Sequence, residues 1–140
     1  MASRPKKVLI VDDELDNRRF VKATLEDEGY EFVFGRDGSD AIEKAAAERP
    51  DLIVMDVQMP KKDGFAALYE LRQNPALKAI PVVLLTGIAE KTGVRFSADA
   101  VHDYMGERPD AFLDKPVDPA KLLATVRKLI ERQAAEAGGQ

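Results

Sequence analysis

Leu52-Ile53-Val54-Met55, closed by Asp56, is a run of apolar residues without a polar break, ended by one carboxylate. A strand with one wet face would alternate apolar and polar side chains. A run that is apolar throughout suits a strand covered on both faces, as in a parallel sheet between two layers of helices. The same signature recurs at Val8-Leu9-Ile10-Val11 and Val82-Val83-Leu84-Leu85, with shorter versions at Phe32-Val33-Phe34 and Ala111-Phe112-Leu113.

Amphipathic stretches separate these runs. Phe20, Val21, Thr24 and Leu25 share one helical face, as do Ala41, Ile42, Ala45 and Ala46. Phe65, Leu68, Tyr69 and Leu71 predict a third helix, and Leu122, Leu123, Val126, Leu129 and Ile130 give the clearest periodicity of all. Asp118 is placed to cap that last helix, with Pro119 at its first position. Repeated strand–helix units with right-handed crossovers make an α/β fold, a doubly wound parallel sheet. The interval 87–109 is less regular. A helix over Ser97–Met105 ended by Gly106 fits it, with the only histidine, His102, as a half-exposed helical residue.

The 140 residues fit one domain, expected over 6–133 with flexible termini at 1–5 and 134–140. The absence of cysteine excludes disulfides, thiolate metal sites and cysteine nucleophiles, and suits a reducing compartment. A net charge of −4 argues against general nucleic-acid binding. The apolar run after Lys7 is too short for a signal peptide or a membrane span, so a cytoplasmic protein without membrane insertion is expected.

The polar residues that close the runs carry the chemistry. Asp12 and Asp13 follow the first strand, Asp56 the third, Thr86 closes the fourth and Lys115 follows the fifth. Ligands of open α/β sheets sit outside the carboxyl ends of the strands, so these residues converge on one crevice. Crowded carboxylates repel unless a counter-charge is supplied. A divalent ion and the Lys115 ammonium together would bring three carboxylates to formal neutrality. An all-oxygen donor set that keeps waters favours Mg²⁺, and such a site suits phosphoryl transfer to a carboxylate. Taken singly, each residue has a plainer use: a turn or cap for an aspartate, a surface position for Lys115, a back-bonded hydroxyl for Thr86.

Four blocks together resemble the response-regulator receiver domains of two-component signalling. They are Val8–Glu14, Asp51–Gly64, Pro81–Gly87 and Phe112–Pro116, within a likeness running from Lys7 to about Arg132. The resemblance implies a flavodoxin-like, five-stranded (βα)₅ receiver of the CheY-like kind. Asp56 is then the phospho-acceptor, supplied by the phosphohistidine of a sensor histidine kinase or phosphotransfer protein. Asp12, Asp13 and Asp56, with the backbone carbonyl of Gln58, are the implied Mg²⁺ ligands. Lys115 contacts the phosphoryl group, Lys115–Pro116 is a cis peptide, and Thr86 with Phe112 forms a switch pair.

The reading is a single-domain response regulator that changes a partner-binding surface or relays phosphate, not an enzyme with an external substrate. A homodimer through the fourth-helix/fifth-strand/fifth-helix face and an unidentified downstream protein are the expected contacts, without direct nucleic-acid binding. Two other classes compete. A phosphatase of the haloacid dehalogenase class needs Asp-x-Asp after the first strand, and Asp12-Asp13-Glu14 offers Glu14 in the second place. A phosphorylation-independent docking module usually lacks part of the acidic set or the lysine, and all are present here.

Overall fold

The computed structural model describes residues 4–87 and 107–138. All five apolar runs form strands: β1 (Lys7–Val11), β2 (Glu31–Gly35), β3 (Leu52–Asp56), β4 (Val82–Thr86) and β5 (Ala111–Asp114). They pair in parallel, in the order β2-β1-β3-β4-β5. Helices α1 (Leu15–Leu25), α2 (Gly38–Glu48) and α3 (Gly64–Gln73) link the strands. The last described helix, α4 (Pro119–Gly138), follows β5. The helix expected over Ser97–Met105, and His102 within it, lie outside the described residues.

The unbroken apolar runs are explained by two cores, one on each face of the sheet. Leu9, Val11, Ile53, Met55, Val82 and Leu84 point to the face covered by α2 and α3. Their neighbours Val8, Ile10, Leu52, Val54, Val83 and Leu85 point to the opposite face, against α1 and α4. Adjacent residues of a strand face opposite ways, so both must be apolar when both faces are covered. β2 is an edge strand with a mixed burial pattern, and Phe34 remains 39% exposed.

Three helix entries are set by side chains. Asp37 accepts from the Asp40 amide, Asp63 from the Ala66 amide and Asp118 from the Ala120 amide, at 2.8, 2.8 and 2.9 Å. The expected cap at Asp118 and start at Pro119 are therefore in place, whereas Asp37 and Asp63 were not anticipated. Two expected faces are narrower than their spacing suggested: Val21 and Leu25 are buried but Phe20 is 40% exposed, and Leu68 and Leu71 are buried but Tyr69 is 47% exposed. Helix α4 continues to Gly138, past the boundary expected after 133. Ala134, Ala135 and Ala137 are strong helix formers, and no breaker precedes Gly138.

Candidate functional site

The strand order reverses direction between β1 and β3, and the crevice outside their carboxyl ends is the binding position of such a sheet. Asp12 follows β1 directly and Asp56 is the last residue of β3. Backbone hydrogen bonds hold this edge in register. The Asp12 amide donates to the Gly35 carbonyl at 3.1 Å, the Val57 amide to Leu85 at 2.8 Å and the Lys115 amide to Thr86 at 2.7 Å. The last of these bonds places Lys115 across from the two aspartates.

Asp12 and Asp56 are buried and Asp13 is exposed; each offers an oxygen, all lying within 4.8 Å of one another. The Lys115 Nζ sits 2.7 Å from Asp56 Oδ1 and 3.6 Å from Asp12 Oδ2. Burial pushes the Asp56 carboxyl above its ordinary value of 3.8, and Asp12 and Asp13 push it further, against the opposing pull of Lys115. Burial draws the Lys115 ammonium down, but the hydrogen bonds and charges of Asp56 and Asp12 outweigh it and leave the group raised. One ammonium facing three carboxylates leaves excess negative charge. The residues therefore fit a further cation, and their all-oxygen chemistry selects a hard one such as Mg²⁺.

The other expected residues fall around this group. Gln58 is exposed on the loop leaving β3. Thr86 is fully buried at the end of β4, and Phe112 is half-buried in β5. The Phe112 ring stacks on Phe65 of α3, with centroids 6.2 Å apart and planes inclined by 11°. The Lys115–Pro116 peptide is cis, as the resemblance implies. Glu14, needed as the second carboxylate of a dehalogenase-type motif, stands outside the carboxylate group and caps α1 with its backbone.

Sequence reasoning missed what supports Asp12. Its Oδ1 accepts from the Glu14 amide at 2.9 Å and lies 3.4 Å from Asn17 Nδ2, while its carbonyl accepts from Arg18 Nη1 at 2.7 Å. The Asp–x–backbone contact is a recurrent turn device and was recoverable from sequence. The Asn17 and Arg18 contacts depend on the angle at which α1 leaves β1. A cleft of about 320 Å³ runs beside the carboxylates, walled by Asn17, Phe20, Pro116 and Val117, with Asp12 and Lys115 on its lining.

The response regulator receiver domain family matches residues 8–127. The chain is 37% identical over 133 residues to the probable transcriptional regulator ycf27 of Cyanophora paradoxa, covering 94% of this chain and 51% of that protein. It is 36% identical over 131 residues to the alkaline phosphatase synthesis transcriptional regulatory protein PhoP of Bacillus subtilis, covering 91% and 49%. The chain thus spans about half the length of these relatives. Among solved structures, chemotaxis response regulator CheY4 of Vibrio cholerae superposes with a TM-score of 0.72 at 34% identity, covering 90% of this chain and 99% of that one.

Proposed function

The chain belongs to the response-regulator receiver family, and we propose that within it Asp56 is the phospho-acceptor of a Mg²⁺-dependent signalling switch. The observation that carries this reading is the Lys115 ammonium at 2.7 Å from Asp56 Oδ1, beside Asp12 and Asp13, at the carboxyl edge of the sheet. The donor is the phosphohistidine of a sensor histidine kinase or phosphotransfer protein. An Asp56 carboxylate oxygen forms the new O–P bond as the N–P bond breaks, and the freed imidazole nitrogen keeps the electron pair of that bond. Asp12, Asp13, Asp56 and the Gln58 carbonyl would hold Mg²⁺, which when bound offsets charge on the phosphoryl oxygens. Lys115 supplies the second positive charge. Its amine is already drawn to the acceptor, so little reorganisation is needed.

Thr86 and Phe112 are the proposed response elements. A hydroxyl at the end of β4 gains a charged acceptor when Asp56 is phosphorylated, and Phe112 lies on the adjoining strand. The output is proposed to be a changed protein-binding surface or onward relay of the phosphate, and the only chemistry catalysed is on Asp56 itself. The overall charge of −4 favours protein over nucleic acid as the direct contact.

Intact-mass measurement after incubation with acetyl phosphate and Mg²⁺ tests the reading. One phosphoryl group is expected on the wild type and none on Asp56→Asn. No added mass with acetyl phosphate and none with a cognate kinase would overturn it.

A further inference from the structure

On the face of α1 turned away from the cleft beside the carboxylates, Leu15, Arg18, Arg19 and Lys22 form a stripe spaced i, i+3, i+4, i+7. With Phe34 of the edge strand β2 they line a groove of about 300 Å³. Leu15 is 49% exposed and Phe34 39%, so the groove's apolar walls face water. Among the described residues no carboxylate pairs with Arg18, Arg19 or Lys22. Arg18 is held in place by its bond to the Asp12 carbonyl, so one wall is preorganised. A compact positive island with an apolar floor thus stands on a chain of net charge −4.

We infer that this groove docks an acidic segment of a partner protein, one that inserts a large apolar side chain and flanks it with carboxylates. The volume suits one or two such side chains, and the cations on the rim steer and orient the carboxylates. Three cations fall short of the four to eight that typify a lipid-headgroup cluster. The exposed apolar walls, Leu15 and Phe34, match an inserted apolar side chain and offer a phosphodiester backbone no partner. Both considerations leave a protein segment as the matching occupant.

The test uses ¹⁵N-labelled protein and a short synthetic peptide with a central Leu-Phe pair flanked by Asp and Glu. Saturable shifts of the Leu15, Arg19, Lys22 and Phe34 amides are expected. Arg19→Glu combined with Lys22→Glu should weaken binding about tenfold or more, and a Lys-flanked peptide should not bind. Leu15→Ala removes an apolar wall at constant charge and should weaken binding as well. Circular dichroism and thermal unfolding establish that the variants are folded. Absence of saturable shifts, shifts on another face, or undiminished affinity in the double variant would overturn the inference. So would preferential binding of phosphatidylserine vesicles through these residues, or self-association that the double variant abolishes.

Discussion

Asp56 is held where burial and two neighbouring carboxylates oppose its ionisation, with Lys115 as the compensating charge. Its folded pKa is raised above the ordinary 3.8. Between these two values the native state binds more proton than the unfolded chain, so stability falls as pH rises through that window. The cost is complete above the raised value and absent below the ordinary one. Asp56→Asn should therefore raise the metal-free Tm by several degrees at neutral pH, with the gain shrinking as pH falls from the raised value toward 3.8 and gone below it. Thermal unfolding of both proteins in EDTA across pH checks this; an Asn variant less stable than wild type at pH 7 would show that the lost Lys115 bond dominates. Asp56, Asp12, Asp13 and Lys115 were legible because each closes or follows an apolar run. Arg18 was not, because its bond to Asp12 is made by helix orientation and leaves no mark in residue spacing.

At the scale of elements, the strands and helix cores could be traced from periodicity, but the width of each covered face could not. Phe20 and Tyr69 fall on apolar stripes yet stay exposed, because what covers a helix is set by its neighbours. The joint at the opposite edge of the sheet was likewise invisible. Arg72 of α3 donates to the Ile80 and Lys78 carbonyls at 2.8 and 3.1 Å and to Asp110 Oδ2 at 2.7 Å. That same carboxylate oxygen accepts from the Val82 amide at 2.8 Å, so one guanidinium ties α3 to the starts of β4 and β5. Arg72→Ala should cost about 2 kcal/mol, by loss of charge-assisted hydrogen bonds, seen as a lower urea midpoint. Arg72→Lys should recover little, since a point charge cannot span those acceptors; full recovery would refute the bridging role. The entry of α3 bears on the site itself. A Cβ at Gly64 would lie 2.5 Å from the Asp56 carbonyl and 2.9 Å from the Val57 Cα, both backbone atoms. Gly64→Ala should lower Tm and slow phosphorylation of Asp56 together, and an unchanged labelling rate would show that the strand end does not move.

For the molecule as a whole, sequence established that the sheet is parallel, two-faced and doubly wound, while the order of its strands came only with the structure. That order matters because it makes β1 and β3 neighbours, setting Asp12 and Asp13 beside Asp56. The juxtaposition costs the metal-free protein stability through like-charge repulsion and burial, and a bound cation reverses the sign. Mass action gives the size: Mg²⁺ at about one hundred times its dissociation constant adds about 2.7 kcal/mol to a native state that alone binds it. Tm should therefore climb with Mg²⁺ at neutral pH and return to its starting value on chelation. The climb should fade in acid, as protons compete for the same carboxylates. Asp13→Asn separates charge relief from metal binding. Removing one carboxylate from the group should raise the metal-free Tm, yet flatten its response to Mg²⁺. An Asp13→Asn protein that gains as much from Mg²⁺ as the wild type would place the cation elsewhere, and the assignment of Asp12, Asp13 and Asp56 as its ligands would fail.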